Sequence, residues 1–236
     1  MTSSDIFDAV VIGGGPSGAT AAHDLAKLGR SVLLLDRAGR IKPCGGAIPP
    51  RLIRDFDIPD HLLVAHVNSA RMVSPSDQQV DMPIDGGFVG MVDRDVFDEW
   101  LRTRAAEAGA KRRTATFKRF ERDETDTTIV HYEERAADGT MVAKTVRTRA
   151  LIGADGALSA VARQCFPGSD RLPYVFAYHE IVRAPPVASS FDGTRCDVYY
   201  RGSVSPDFYG WVFPHGDTVS VGTGSARKGF SLRESV

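Results

Sequence analysis

The glycine-rich segment GGGPSG at residues 13–18 constrains the fold of this chain more than any other feature of its sequence. The run before it, Phe7 to Ile12, is short and rich in β-branched residues, which predicts a strand buried on both faces. Ala19 to Leu28 predicts a helix that ends at Gly29, and Ser31 to Leu35 predicts a second buried strand. These elements form a β-α-β unit, whose crossover we expect to be right-handed.

The glycines of this segment follow the G-x-G-x-x-G spacing of dinucleotide-binding loops. Gly13 permits a tight turn, Gly15 lets the backbone approach a pyrophosphate, and Gly18 allows the helix to pack closely on the strand. The N–H groups and the positive dipole end at the start of the helix favour phosphate. Asp36 ends the second strand, where its carboxylate can accept hydrogen bonds from ribose hydroxyls and disfavours a 2′-phosphate. The sequence therefore predicts a dinucleotide site.

The composition excludes several classes of protein. Among 236 residues, 29 Lys and Arg nearly balance 30 Asp and Glu, so no global field favours nucleic acid or an anionic membrane. The longest apolar runs are about five residues, far short of the roughly 20 that a spanning helix needs. Cys44, Cys165 and Cys196 form no disulfide framework, which favours a reducing cytoplasm, while peripheral contact with a membrane stays open. The six histidines are scattered, so we expect no metal site.

The sequence that follows the β-α-β unit predicts further strands and two helices. Short strands are expected between about residues 68 and 92, followed by a helix from Arg94 to Ala108. Residues 116–149 predict a β-meander, and a buried strand at 150–153 leads into a short helix that ends at Gln164. The predicted apolar face of the longer helix consists of Val96, Phe97, Trp100 and Leu101.

The residue pattern of the sequence changes after Pro167. Aromatic, strand-like segments follow, and they predict a second, sheet-rich region. We therefore expect an α/β protein with a nucleotide-binding domain at residues 1–167, in which the short strands at about 68–92 are inserted. Residues 168–236 are expected to form part of an antiparallel-sheet substrate domain.

Two further motifs narrow the kind of nucleotide. Arg94 follows an acidic residue that can cap an amphipathic helix, and Asp155-Gly156 lies in a strand–turn–helix segment. With the glycine loop, in this order, they resemble the FAD-dependent class of p-hydroxybenzoate hydroxylase. This resemblance implies a Rossmann-like FAD-binding domain with a β-meander, with Arg94 near the FAD. It also implies that Asp155 and Gly156 lie at the cofactor and take part in handling NAD(P)H.

Three segments narrow the family: RAGRIKPCGGAIPP at residues 37–50, YVFAYHE at 174–180 and SPDFYGWVFPHG at 205–216. They are similar to the geranylgeranyl reductases, most closely to the reductase of bacteriochlorophyll and chlorophyll biosynthesis. The resemblance implies an FAD-dependent oxidoreductase that reduces three double bonds of a geranylgeranyl chain to give phytyl, with NADPH as reductant. The chain would be esterified to the pigment or carried as the diphosphate, and the protein would lie in the cytoplasm or peripherally at the photosynthetic membrane. Members of this family are longer, so we expect a chain truncated at the C-terminus that lacks a later FAD motif.

The residues of these segments suit the implied chemistry. Gly45 and Gly46 have no side chains, so their backbone can lie flat against a flavin ring. Arg37 follows Asp36, the predicted ribose-binding residue, and we expect it to bind the cofactor as well. The candidate proton donors are Cys44, Tyr209 and His215, and the candidate walls of an apolar substrate tunnel are Tyr178, Tyr209, Trp211 and Phe213. The plainer alternatives are a small buried cysteine and ordinary aromatic core of a sheet.

Two other functions stay open on the sequence. One is a flavin-dependent aromatic hydroxylase, against which the segment Pro43-Cys44-Gly45-Gly46 argues. The other is a non-catalytic nucleotide-binding fragment, which the expected truncation would explain.

Overall fold

The computed structural model of this chain describes residues 6–37, 42–186 and 191–236. In chain order the elements are β1 (Phe7–Ile12), α1 (Pro16–Lys27), β2 (Val32–Asp36), β3 (Ala47–Ile48), α2 (Pro50–Asp55), β4 (Ala65–Val67), β5 (Ser69–Val73), β6 (Gln79–Pro83), β7 (Val89–Met91), α3 (Arg94–Glu107), β8 (Lys111–Thr114), β9 (Thr116–Arg122), β10 (Thr128–Arg135), β11 (Met141–Gly153), α4 (Ala160–Cys165), β12 (Phe176–Arg183), β13 (Arg195–Tyr199), β14 (Gly210–His215), β15 (Thr218–Ser225) and α5 (Leu232–Ser235). Short 3-10 turns lie at Asp60–Leu62 and Ser169–Arg171.

The chain divides into two compact units. Unit 1 comprises the described residues of 1–40 and 98–172, and unit 2 those of 41–97 and 173–236. The boundary falls within α3, which begins in unit 2 and ends in unit 1.

Unit 1 is built on a six-stranded sheet in the order β8-β2-β1-β11-β10-β9. The strands β8, β2, β1 and the end of β11 are parallel, and β9, β10 and the start of β11 form the antiparallel meander. The meander was predicted at residues 116–149 with a separate strand at 150–153. The last part of the predicted meander and the predicted strand at 150–153 form one strand of 13 residues, β11, because its first half pairs with β10 and its second half with β1.

Both faces of the central strands of unit 1 are covered, which accounts for their unbroken apolar sequence. Val10 packs with the meander residues Val130 and Tyr132, whereas its neighbour Val11 packs with Ala22 of α1 and other apolar side chains. Each such fully buried aliphatic side chain contributes about 1.5–3 kcal/mol to stability.

The helix α1 begins at Pro16, three residues before the predicted start. Proline is favoured at the first helical position because its φ is already near the helical value and its missing N–H has no partner there. At the other end, the predicted stop at Gly29 is confirmed, since this residue adopts a left-handed φ of 72°.

Unit 2 contains a six-stranded sheet in the order β12-β15-β14-β13-β5-β6 and a three-stranded sheet in the order β3-β7-β4. The short strands β5 and β6 were predicted as an insertion in the first domain. In the structure β5 pairs in parallel with β13, so these strands group with the later part of the chain. Because β5 and β13 are far apart in the sequence, no local sequence pattern indicates that they pair.

The apolar face of α3 differs from the predicted one at Val96, which is 55% exposed, whereas Phe97 and Leu101 are buried. Ala105 is also buried and continues the stripe at a spacing of four residues, and Val96 lies about 100° away from it around the helix. None of the helices in the described ranges is both long and apolar enough to cross a membrane.

Candidate functional site

The glycine loop follows β1 directly and packs against the turn after β11. The N–H of Gly13 donates to the carbonyl of Leu35 at 2.8 Å, which keeps the loop beside β2. Gly13 has a φ of 103°, and a Cβ on it would lie 2.9 Å from the nitrogen of Asp155. Only glycine fits this position without strain. The packing brings together two motifs that the sequence analysis had linked only by resemblance.

The other glycines of the loop separate into crowded and open positions. A Cβ on Gly14 would lie 2.7 Å from Oδ2 of Asp36, and one on Gly18 would overlap the carbonyl oxygen of Gly13. A Cβ on Gly15 would meet nothing within 4 Å, and Gly15 is the N-cap of the 12-residue helix α1. Open space at a helix N-terminus suits a phosphate group, so the loop fits the pyrophosphate of a dinucleotide.

Asp36 lies at the end of β2 with its side chain 26% exposed, so its carboxylate is accessible, and its contact with a ribose stays a prediction. The partner of Asp36 is Arg102 of α3, which no motif in the sequence indicates. Nη1 of Arg102 donates to the carbonyl of Gly14 at 3.0 Å and lies 3.5 Å from Oδ2 of Asp36. Arg102 therefore fixes both the loop and the carboxylate. Its signal in the sequence was weak, because a charged residue next to the apolar stripe of a helix is ordinarily solvated.

Arg102 is itself held by a second ion pair. Its Nε and Nη2 donate to Glu99 at 3.1 and 3.0 Å, and Arg112 donates to both carboxylate oxygens of Glu99 at 2.6 and 2.7 Å. The hydrogen bonds from Arg112, followed by those from Arg102, lower the pKa of Glu99 to about 2. Two arginines and two carboxylates thus form one network beside the loop.

Asp155 caps the helix α4. Its carboxylate accepts hydrogen bonds from the N–H of Ala160 at 2.6 Å and of Val161 at 3.3 Å, and from the hydroxyl of Ser159. Gly156 beside it adopts a φ of 87°. These contacts account for the turn, and the predicted cofactor contacts of Asp155 and Gly156 stay predictions.

The two remaining arginines of the prediction lie at the ends of secondary-structure elements. Arg37 follows β2 and is exposed, and Arg94 begins α3 and is half-buried. Their predicted contacts with FAD stay predictions. Residues 38–41 of the segment 37–50, which resembles the geranylgeranyl reductases, lie outside the described residues.

In unit 2 the predicted glycine pair packs tightly on β14. A Cβ on Gly45 would lie 2.6 Å from Cδ2 of Phe213, and one on Gly46 would lie 2.7 Å from Cε1 of His215. Gly46 has a φ of 76°, and its carbonyl accepts the N–H of Val92 at 2.9 Å. The structure therefore brings together two segments that the sequence analysis had singled out separately.

His215 is buried, with its side chain 4% exposed, and both of its ring nitrogens are engaged. Nδ1 lies 2.8 Å from Oδ1 of Asp93, and Nε2 lies 3.0 Å from the carbonyl oxygen of Gly45. The sequence analysis proposed His215 as a proton donor and did not anticipate either partner. With both nitrogens held by protein atoms, this ring is better suited to hold the loop than to transfer a proton.

An aromatic row runs along β14 and the residue before it. The ring centroids of Tyr209 and Trp211 are 6.2 Å apart, and those of Trp211 and Phe213 are 6.3 Å apart. Trp211 is 5% exposed and donates from Nε1 to Oγ of Ser220 at 3.1 Å. Tyr209 and Phe213 are half-buried. The three rings share one side of the strand, as the alternation of the sequence predicted.

The remaining candidates of unit 2 differ in their surroundings. Cys44 is a half-buried free thiol. Burial, with smaller effects of Tyr200 and Cys44, raises the pKa of Tyr209, so its hydroxyl is protonated at neutral pH. Tyr178 lies on β12, two strands from β14, and its hydroxyl donates to Glu180, which raises the pKa of Tyr178. Within the part of the chain that the structure describes, no group of three His, Cys, Asp or Glu side chains could hold a metal ion.

Comparison with known proteins agrees with the family resemblance of the sequence. The model of one protein family, the FAD binding domain, matches residues 7–219. A geranylgeranyl diphosphate reductase of Rhodobacter capsulatus is 58% identical over 97% of this chain and 57% of its own length. A chloroplastic geranylgeranyl diphosphate reductase of Oryza sativa subsp. japonica is 39% identical over 91% of this chain and 48% of its own length. The chain thus spans about half the length of these curated relatives.

A solved structure agrees with these matches. The geranylgeranyl bacteriochlorophyll reductase-like protein of Thermoplasma acidophilum superposes with a TM-score of 0.80 at 25% identity, over 98% of this chain and 60% of that protein. The predicted resemblance and the predicted α/β fold class are both confirmed.

Proposed function

The chain belongs to the family of FAD binding domains, and on that premise we propose that it is the flavin-binding portion of an enzyme that reduces the double bonds of a geranylgeranyl chain. The observation that carries this proposal is the contact of Gly45 and Gly46 with Phe213 and His215. Gly45 and His215 are 170 residues apart in sequence. They belong to two of the three segments that resemble the geranylgeranyl reductases, so the fold assembles the features that distinguish this family.

Unit 1 would bind the adenosine diphosphate part of FAD. The open space at Gly15 would receive the pyrophosphate, and Asp36 would accept hydrogen bonds from the ribose hydroxyls. Arg102 keeps the loop and Asp36 in place for both contacts. We assign nucleotide binding to unit 1, with Arg37, Arg94, Asp155 and Gly156 as further cofactor contacts, and substrate binding to unit 2.

When bound and reduced by NADPH, FAD would supply the hydride for reduction of the alkene. An isolated alkene accepts hydride poorly, so a proton must reach the other carbon from an acid that is held away from water. We assign this role to Sγ of Cys44 first and to the hydroxyl of Tyr209 second. His215 is less suitable, because both of its nitrogens bind protein atoms.

The aromatic row Tyr209–Trp211–Phe213 is the proposed wall of the site for the prenyl chain, with Tyr178 as a further contact. A C20 hydrocarbon would bind such a wall mainly through burial, at about 25 cal/mol for each Å² of apolar surface removed from water. The substrate is either the pigment ester or the free diphosphate. Both are amphiphiles, so we expect the protein to work in contact with the surface of the photosynthetic membrane.

The reaction is tested by mass analysis of the products. The FAD-loaded chain is incubated with NADPH and, in parallel, with geranylgeranyl diphosphate or geranylgeranylated bacteriochlorophyll. We expect the prenyl product to gain hydrogen atoms in pairs, and the preferred substrate identifies the physiological form. The Rhodobacter capsulatus reductase serves as the positive control.

Three outcomes would contradict the proposal. A flavin-loaded chain that gives no mass gain, while the control does, is not a reductase. Gain of one oxygen atom with an aromatic substrate would instead indicate a flavin hydroxylase. A colourless chain that does not retain FAD would indicate a nucleotide-binding fragment without catalysis.

The role of Cys44 is tested by Cys44→Ala in single-turnover reduction with pre-reduced protein. We expect the rate of alkene reduction to fall by about 10²–10⁴-fold, the usual contribution of a general acid. Cys165→Ala is the matched control, since Cys165 is also a free thiol but is exposed. An unchanged rate in Cys44→Ala would assign the proton to another group.

A further inference from the structure

We propose that His215 and Asp93 form a positioning pair that fixes the peptide between Gly45 and Gly46, with His215 as an imidazolium and Asp93 as a carboxylate. This inference rests on the proposed function in one respect: the fixed peptide belongs to the loop that would contact the flavin. All four residues lie in unit 2. The pair joins the N-terminal end of α3 to β14 and the glycine loop.

The protonation of His215 follows from its two partners. Oδ1 of Asp93 lies 2.8 Å from Nδ1, and the carbonyl oxygen of Gly45 lies 3.0 Å from Nε2. A carboxylate and a carbonyl both only accept hydrogen bonds, whereas a neutral imidazole carries a single N–H. The doubly protonated ring satisfies both acceptors, and a neutral ring would leave a lone pair facing one of them. Because the ring is 4% exposed, water cannot supply the missing hydrogen bond to the ring or to the Gly45 carbonyl that it covers, although the side chain of Asp93 is itself 45% exposed.

A neutral His179, the histidine near His215, is consistent with a single positive charge in this region. Nδ1 of His179 lies 3.1 Å from Oγ of Ser220, which accepts the indole N–H of Trp211 at 3.1 Å. The hydroxyl hydrogen of Ser220 is therefore available to donate to Nδ1 of a neutral His179. Burial lowers the pKa of His179, and a charge on His215 lowers it further, while the nearby Glu180 raises it.

The pair determines the direction of the Gly45–Gly46 peptide. The described residues contain no cis peptide bond, so the carbonyl of Gly45 and the N–H of Gly46 point to opposite sides of their peptide plane. Holding the carbonyl at His215 directs this N–H away from the ring. The carbonyl of Gly46 is fixed separately by the N–H of Val92. The backbone of the loop is thus held at two successive carbonyls.

The protonation of His215 can be measured without substrate or turnover. Two-bond ¹H–¹⁵N correlation spectra of the ¹⁵N-histidine-labelled protein at about pH 7 distinguish an imidazolium from either neutral tautomer. We expect both nitrogens of His215 to be protonated in the wild type. In Asp93→Asn, which keeps the size of the side chain and removes its charge, we expect one. A neutral His215 in the wild type would overturn the proposal.

The positioning role is tested on FAD-loaded protein. In Asp93→Asn and His215→Gln we expect the Kd for FAD to rise about tenfold, with a shift in the visible spectrum and the reduction potential of the flavin. Asp93→Glu keeps the charge and is expected to retain most of the wild-type affinity. His61→Gln, at an exposed histidine of the same unit, is the matched control.

A merely structural role would give a different pattern. Asp93→Asn and His215→Gln would then lower the free energy of unfolding but leave the Kd, the spectrum and the potential of the flavin unchanged, which would also overturn the proposal. Neither readout uses a prenyl substrate. Failure of the wild type to reduce an alkene would therefore contradict the proposed function alone.

Discussion

The two glycine loops of this chain use the absence of a side chain differently. In unit 1, Gly15 borders open space, with nothing within 4 Å of a potential Cβ. In unit 2, Gly45 and Gly46 are in close contact with the side chains of Phe213 and His215. The first loop leaves room for a ligand, and the second lets a backbone approach a protein wall. A glycine-rich sequence therefore does not by itself distinguish a site that awaits a ligand from one that protein atoms already fill.

The loops also differ in how their surroundings are assembled. Gly13 and Gly15 lie between β1 and α1, and Gly18 lies in the first turn of α1, so their geometry follows from the local sequence of one β-α-β unit. The loop at Gly45 depends on β14, 170 residues further along the chain. We therefore expect a side chain added to the first loop to act on ligand binding where space is open. A side chain added to the second loop would meet Phe213 or His215, and we expect it to lower stability first.

The largest effect is expected for Gly13→Ala. Its φ of 103° disfavours a side chain by about 1–2 kcal/mol, and the contact with the backbone of Ala154 and Asp155 adds roughly 1–3 kcal/mol of overpacking. The free energy of unfolding, measured by urea denaturation, should fall by the sum of these two contributions. Gly29→Ala is the matched control, because Gly29 also has a positive φ but a Cβ there would meet nothing within 4 Å. Equal losses in the two variants would show that the contact with Ala154 and Asp155 is unimportant.

A pair of substitutions tests the comparison directly. Gly45→Ala should lower the free energy of unfolding by about 1–3 kcal/mol, because its Cβ would lie 2.6 Å from Phe213. Gly15→Ala should leave it within about 0.5 kcal/mol and raise the Kd for FAD about tenfold or more. Urea denaturation and fluorescence titration with FAD measure the two quantities. If Gly15→Ala destabilises the fold and binds FAD normally, the contrast between the two loops is wrong.

A smaller effect is expected for Arg102→Lys. Lysine keeps the charge but cannot contact Glu99, Gly14 and Asp36 at once, so we expect a loss of about 1 kcal/mol in FAD binding. Isothermal titration with FAD measures it. Arg149→Lys is the control, since Arg149 is largely exposed and pairs with Asp8 at the surface. Unchanged affinity in Arg102→Lys would mean that the loop needs no support from α3.

The smallest effect is a dependence of stability on pH. The hydrogen bonds from Arg112 and Arg102 lower the pKa of Glu99 from its ordinary value of 4.5 to about 2. The stabilisation is therefore fully present above about pH 4.5 and is lost as the pH falls through about 2. Glu99→Gln should be less stable than the wild type at about pH 7, and the difference should shrink at about pH 2.5. Because Glu99 is half exposed, solvent screening keeps the effect small. The free energy of unfolding of both proteins is measured by urea denaturation. If the difference between the wild type and Glu99→Gln were the same at the two pH values, this assignment would be wrong.

Local elements of the fold were predictable from the sequence, and distant contacts were not. β1 occupies the predicted residues Phe7–Ile12, and α3 begins at the predicted Arg94, because strand alternation and helix periodicity are local properties. The continuity of β11 could not be predicted, since it depends on two partners at once. The grouping of β5 with β13 has the same cause.

The candidate site follows the same rule. The glycine loop and Asp36 have a motif whose spacing encodes their chemistry. Arg102 contacts Gly14 across 88 residues, and His215 contacts Asp93 across 122. No pattern within a short window marks such pairs, so they become visible only in the folded chain.

The order of strands in unit 1 also has a consequence for biosynthesis. β1 lies between β2 and β11, and Phe7 pairs with Thr148, 141 residues later. A ribosome adding roughly 5–20 residues per second needs roughly 7–28 s to deliver that partner. Until then the apolar first strand has one edge free to join a strand of another nascent chain. Slower translation lengthens this interval, so we expect it to lower the yield of folded protein.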